Sequence, residues 1–256
     1  MNAPLTLAPR SSLGSKFLMA LTGLGLTVFV FAHMLGNFQV YSGRDALNTY
    51  AAALKHMPGL LWTARLGLLA IFVLHIVYGV KLYLANRAAR PVLYHFKRYR
   101  EATLASRTML WTGLLALAFV LFHLAHYTFG VVQKVPQRDE NGAVVLDAQG
   151  NVVYVSFLDL KDVKNTQDPK RQDVYAMTIY GFRNPVVSLL YIVAMAFLAF
   201  HLSHGFQSLF QSLGLNHPRW VPLLRGASLV VAVVVFVGNT SMPLAVLFGT
   251  IGRDVP

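Results

Sequence analysis

Four long apolar stretches of this 256-residue chain each carry a histidine about two thirds of the way along: His33, His75, His123 and His201. An ionisable side chain at membrane depth is costly and marks function by default. Counted from the start of each stretch, the four lie roughly 15 or 16 residues in, or about 23 Å at about 1.5 Å per helical residue. Consecutive spans run in opposite directions, so His33 and His123 fall towards the outer face, and His75 and His201 towards the inner. Topology therefore sorts four imidazoles into two pairs at two levels. Iron porphyrin held by imidazole on both axial positions is the chemistry this sorting suits, and such iron has no open site for oxygen or substrate, which leaves electron transfer. A planar macrocycle also needs room against the backbone, which glycine supplies. Gly79 and Gly205 each follow a histidine by four residues and Gly36 follows His33 by three, so each is expected to open a gap on the imidazole face.

Two positions carry alternatives. His126 lies three residues after His123, and His204 three after His201, so each pair shares a helix face. Depth and the Gly205 spacing favour His201. For the third span depth favours His123, while Gly130, four residues beyond His126, favours the latter. The second members are candidate donors to haem propionates or to a quinone, with plain packing as the alternative. Lys16 at the inner entry of the first span and Arg65 just inside the outer end of the second are candidate propionate partners, because a carboxylate at the membrane edge needs a cation; snorkelling to headgroups competes for both. His56, His95 and His217 fall in connections and receive no role.

The positioning elements follow from composition. Apolar residues make up 55% of the chain and charged residues 12%, against roughly 25% charged in soluble domains. Five segments are long enough to cross the hydrocarbon, at approximately 17–40, 60–84, 108–132, 185–210 and 220–248. The expected fold is all-α and integral to the membrane, a single membrane domain over 1–256: a bundle of five transmembrane helices. The first segment exceeds the apolar core of a cleaved signal peptide and reads as a retained anchor. With no cysteine, iron–sulfur ligation, disulfides and thioether-linked haem are excluded on this chain.

The net charge of +12 does not indicate nucleic acid. Lys81, Arg87, Arg90, Lys97, Arg98, Arg100 and Arg107 crowd the short connection between the second and third spans, opposed only by Glu101. By the positive-inside rule that connection is cytoplasmic, as are the N-terminus with Arg10 and Lys16 and the turn with Arg219 and Arg225. A basic inner face attracts anionic lipid and suits a soluble docking partner. Trp62, Trp111, Trp220, Tyr94 and Tyr99 flank the spans as interface anchors. The outer loop, 133–183, balances seven basic against seven acidic residues. Turn-like Asp139–Gly142 and Asp147–Asn151 flank Ala143–Leu146 and Val152–Phe157, the pattern of a small β-hairpin; Asp159–Asp173, with Pro169, reads as an irregular connection. Beyond a shared layout of polar or glycine-rich start and late histidine, the spans show no internal repeat.

The run Ser12-Leu13-Gly14-Ser15-Lys16 into Met19-Ala20-Leu21-Thr22-Gly23, then His33-Met34-Leu35-Gly36-Asn37 and Gly43-Arg44-Asp45-Ala46-Leu47-Asn48-Thr49-Tyr50-Ala51, resembles the five-helix, di-haem cytochrome b subunit of succinate dehydrogenase and fumarate reductase. His201-Leu202-Ser203-His204-Gly205-Phe206-Gln207-Ser208-Leu209-Phe210-Gln211, continuing to Leu213-Gly214, is similar to that family's most recognisable stretch. The resemblance implies a multi-pass anchor in the bacterial cytoplasmic membrane, with a flavoprotein and an iron–sulfur subunit docked on its cytoplasmic face. Succinate would be oxidised at the flavin, not on this chain. Electrons would pass through iron–sulfur clusters and two haem b groups to a quinone, menaquinone being the one the resemblance favours. It maps the axial ligands onto His33, His75, His123 and His201, paired His33/His123 and His75/His201. One departure stands out: no acidic residue falls inside any span, whereas some family members carry glutamates there for quinol oxidation or proton transfer. Paired histidines would equally serve the haem subunit of another oxidoreductase or a free-standing transmembrane electron shuttle. A transporter with histidine proton relays would need a broken helix or a central carboxylate, and neither accompanies these residues.

Overall fold

The computed structural model describes residues 11–89, 103–139, 142–162, 165, 168, 170–215 and 217–255. Arg10, Arg90, Tyr94, His95, Lys97, Arg98, Tyr99, Arg100, Glu101, Glu140, Asn141 and Pro169 lie outside them. The chain is 74% helical, an all-α membrane protein with a small two-stranded antiparallel sheet.

Among the described residues, five helical stretches are long and apolar enough to cross a membrane. The first is α1 (Ser12–Asn37), extended by a 3-10 turn to Ser42. The second is α3 (Pro58–Ala88), and the third is α5 (Met109–His123) with a π turn over Leu124–Thr128. The fourth and fifth are α7 (Pro185–Ser212) and α8 (Val221–Leu247). The third ends earlier than hydropathy predicts. Phe129 N bonds Leu124 O at 2.8 Å, and Gly130 then takes φ +62°, a left-handed turn that closes the helix. No residue of α3 is buried; Leu66, Leu69 and Val77 are among its exposed side chains, an apolar surface of the kind lipid accepts. Trp62, Trp111 and Trp220 are exposed too.

Three shorter helices join these. The single turn α4 (Leu104–Arg107) precedes α5. Hydropathy passes over α2 (Arg44–Lys55) and α6 (Val174–Arg183), because each is amphipathic rather than uniformly apolar. Asp173 caps α6 by accepting from Ala176 N.

The long loop after the third span forms its turn at Asp147–Asn151, where Asp147 accepts from the backbone of Gln149 and Asn151 and Gly150 has φ +82°. Its regular ladder differs from the expected one. β2 (Tyr154–Ser156) pairs antiparallel with β1 (Lys134–Pro136) in the register Val135 to Val155. Ala143–Leu146 contributes only isolated bridges, Val144 to Arg138 and Leu146 to Val152. The expected hairpin contacts are present beside this ladder, with Val153 N bonding Val145 O at 3.0 Å and Asp147 N bonding Asn151 O at 2.8 Å, while Val135 and Phe157, 2% and 0% exposed, pack together with Met177 of α6 at the ladder's end.

The chain divides into two compact units. One comprises 1–32, 62–115 and 196–236, and the other 33–61, 116–195 and 237–256. In the first, Lys81 Nζ donates to Ser15 Oγ at 3.0 Å, and Ser228 of α8 bonds backbone carbonyls of α7. The second has a core of Val40, Leu47, Ile179, Phe182, Met242 and Val246. Beside it lies a polar knot. Asn48, fully buried, donates to Asp162 at 2.8 Å and Asp173 at 3.0 Å and accepts from Tyr175 N at 2.9 Å. Arg44 pairs with Asp173 and, at 3.0 Å, with Asp254; Arg171 pairs with Asp45 and Asp162 at 2.7 Å each. Burial alone would lower the Arg44 guanidinium, but the carboxylates of Asp173 and Asp254 hold it above its ordinary value.

Candidate functional site

The first unit brings His75 of α3 and His201 of α7 together, ring centres 6.4 Å apart and planes at 65°. Each ring is held from a neighbouring helix. Thr22 Oγ1 on α1 donates its one proton to Leu18 O at 2.8 Å and lies 3.2 Å from His75 Nδ1. Thr112 Oγ1 on α5 back-bonds Thr108 O at 3.2 Å and lies 3.1 Å from His201 Nδ1. The carbonyls of Met19 and Met109 face the same two rings. A proton on Nδ1 of each ring would meet these oxygen acceptors and would leave the Nε2 lone pair for a metal.

The glycines that admit these rings differ from the expected ones. A Cβ on Gly23 would stand 3.2 Å from His75 Cε1, and one on Gly113 3.4 Å from His201 Cε1. Gly79 and Gly205 instead face the methyl groups of Met19 and Met109, and Gly36 faces the Tyr50 hydroxyl. The reason is directional: a helical side chain leans towards the N-terminus and covers the preceding turn, so a glycine that follows the histidine is not beneath it. Gly130 likewise serves a backbone turn against Ser156 and Leu158, not a ring.

The second unit pairs His33 of α1 with His123 at the end of α5, ring centres 5.8 Å apart and planes at 86°. The π turn that begins at Leu124 is of a kind common at functional sites. Tyr191 Oη stands 3.2 Å from His123 Nδ1 and 3.1 Å from His126 Nδ1. A phenol has one proton, so it can donate to at most one of the two imidazoles and accepts from the other. His126 is fully buried, its ring 4.2 Å from that of Tyr127 and 5.3 Å from that of Phe157, beneath the β-structured loop.

A metal–imidazole bond is about 2 Å and the ring centre lies about 1.1 Å further on, so two trans imidazoles on one metal place their ring centres about 6 Å apart. Both pairs have that separation. Among the described residues no three of His, Asp and Glu gather to bind a metal by themselves. Two imidazoles at this separation could hold one metal between them, with its remaining positions supplied by another group such as a macrocycle.

The other candidates are dispersed. Arg65 is exposed and stacks over Trp62 of its own helix at 5.2 Å, Lys16 is exposed, and His204 is half-buried one turn beyond His201. Exposed His56 ends α2 and exposed His217 precedes α8; neither joins a pair.

Sequence reading missed Thr22, Gly23, Thr112 and Gly113, and a signal for them was present. The pattern Met-x2-Thr-Gly-Leu-x4-Phe-Val-x2-His runs from Met19 to His33 and again from Met109 to His123, and His-x3-Gly occurs at His75–Gly79 and His201–Gly205. The internal repeat that the spans had seemed to lack is thus present, in the residues around the histidines. Tyr191 and Asn48 had no such signal, since their partners come from distant segments. Comparison with protein-family models, with curated proteins and with solved structures finds no match.

Proposed function

We propose that this chain is the membrane anchor and di-haem electron-transfer subunit of a succinate:quinone oxidoreductase, passing electrons from an iron–sulfur subunit to a quinone by way of two b-type haems. The supporting observation is the presence, in each unit, of one imidazole pair with ring centres 5.8 Å or 6.4 Å apart, a separation at which the two side chains could hold one metal between them. A bis-histidine haem supplies one-electron transfer at an iron with no position open to oxygen or substrate. His75 and His201 would hold one group and His33 and His123 the other. Thr22 and Thr112 keep Nε2 of the first pair free, and Tyr191 orients His123 while tying it to His126.

The partners in this reading are a flavoprotein and an iron–sulfur protein at the cytoplasmic face of a bacterial inner membrane, with the N-terminus on that side and menaquinone as the expected quinone. The motif resemblance from Ser12 to Ala51 and from His201 to Gly214 supports that choice over other haem b subunits. A pyridine haemochrome assay on the purified chain, with identification of co-purifying subunits, tests it. The expected result is two haem b per chain and co-elution of both partners. Colourless protein overturns the haem assignment; a red chain that purifies alone and takes electrons from a soluble donor overturns the complex.

The ring packing separates His123 from His126. His126→Ala is expected to retain both haems, because its ring lies against Tyr127 and Phe157, whereas His123→Ala loses one. Haem-to-protein ratios of the two variants check this; loss of haem from His126→Ala alone would reverse the assignment.

A further inference from the structure

The repeated Met-x2-Thr-Gly pattern carries an inference that rests on the haem reading and deepens it. We propose that Thr22 and Thr112 are positioning residues that fix the proton and the ring orientation of His75 and His201, and so lower the midpoint potential of the haem this pair holds.

Both halves of the seat use the same parts. On α1, Thr22 stands beside the His75 ring, Gly23 admits the ring's Cε1 and the Met19 methyl fills the space facing Gly79. On α5, Thr112, Gly113 and Met109 do the same for His201 and Gly205. Packing alone explains a small residue at Gly23 and Gly113, but not a hydroxyl at both preceding positions. Thr22 and Thr112 are 5% and 3% exposed, and a polar atom placed there twice, each time against Nδ1, has a partner to serve.

The consequence is electronic as well as steric. Each threonine hydroxyl reaches carbonyls of its own helix, Leu18 O at 2.8 Å and Met19 O at 3.1 Å for Thr22, and Thr108 O and Met109 O at 3.2 Å each for Thr112; with its proton there, the oxygen accepts from the Nδ1–H of an imidazole that binds metal through Nε2. A hydrogen bond accepted from the far side of the ring makes Nε2 a stronger donor. A stronger donor favours the more positive, oxidised metal, which lowers the potential. The hydroxyl and Met carbonyl also bound the rotation of each ring, and the two rings stand at 65°. The second pair takes its ring partner from Tyr191 instead, so the two haems receive different donors.

The test uses the chain purified with its haems, with Thr22→Val and Thr112→Val as isosteric losses of the hydroxyl and Thr22→Ser and Thr112→Ser as variants that keep it. Redox titration of the haem absorbance and the low-spin g-value pattern, which follows the angle between axial imidazole planes, are the readouts. The expected result is an upward shift of one haem potential and a changed g pattern in each valine variant, both restored by serine, while the second haem titrates as in the parent. A valine variant that loses this haem while its serine counterpart retains it supports the same assignment. Valine variants with unchanged potential and g pattern overturn the proposal, as does equal haem loss in valine and serine variants, which would make the methyl group's packing the cause. A parent chain with no haem fails the underlying reading instead, and that result is distinct because it precedes any substitution.

Discussion

Replacing His75 or His201 with alanine is expected to halve the haem content and to leave the other haem's spectrum intact. Each pair is complete within one compact unit: His75 and His201 belong to the unit that contains Thr22 and Thr112, and His33 and His123 to the unit that contains Tyr191. Removing one imidazole would take away one of the two side chains proposed to hold that haem, and it leaves the adjacent buried threonine hydroxyl without its imidazole contact. A protein interior is packed as densely as an organic crystal, so a haem-sized space left unfilled also costs the surrounding helices their contacts. Poorer recovery of the assembled complex is therefore expected beside the haem loss. The reciprocal variants His33→Ala and His123→Ala remove the other haem. Haemochrome quantification and reduced-minus-oxidised spectra of all four variants check the pairing. If His75→Ala and His33→Ala abolish the same spectral component, the pairing is wrong.

Arg44→Ala is expected to be strongly destabilising. Asp173 has only 4% of its side chain exposed, and Arg44 is its cationic partner. Burial pushes the Asp173 carboxyl up, and only the Ala176 N–H, the Asn48 amide and Arg44 oppose that cost. Ion pairs in such places contribute little net stability, yet removing one partner strands the other charge at a cost of about 3–5 kcal/mol. Asp254 offers the contrast. It contacts the same guanidinium, but 46% of its side chain is exposed, so Asp254→Ala is expected to cost no more than about 1 kcal/mol, as exposed pairs do. Thermal unfolding in detergent, followed by tyrosine and tryptophan fluorescence, compares them. Equal destabilisation by the two variants would mean that Arg44 acts through its exposed contact and that the buried knot contributes nothing particular.

That knot also explains a motif whose chemistry was opaque in the sequence. Arg44, Asp45, Asn48, Thr49 and Tyr50 share one short amphipathic helix, and each meets a partner far along the chain or in another helix: Asp173 and Asp254, Arg171, Asp162 and Tyr175, Arg171 again, and the gap at Gly36. Four of the ten acidic residues in the whole chain converge there. In a chain this poor in charge, such concentration ties α2 to the loop before α6 and to the C-terminal tail; spacing within the motif alone does not reveal that.

The spans were legible in the sequence because the hydrocarbon imposes one strong rule on them, a run of about 20 apolar residues. Which histidines lie side by side was legible for the same reason: a fixed rise per residue and alternating direction leave few arrangements of one late histidine per span. Helices α2 and α6 lie outside that rule, being short and half polar, and the ladder of β1 with β2 joins strands that flank the whole hairpin, beside the packing of Val135 and Phe157 with Met177.

From the residues alone came a multi-pass all-α chain with four imidazoles at matching positions along four spans, since hydrophobicity and helical rise are local properties. Tertiary structure decided what surrounds each ring. It set Thr22 and Thr112 against Nδ1, brought Gly23 and Gly113 beneath the imidazoles in place of Gly79 and Gly205, and directed His126 towards Phe157. Those outcomes depend on which faces of separate helices meet, and contact between residues far apart in sequence is not written in the periodicity of either segment.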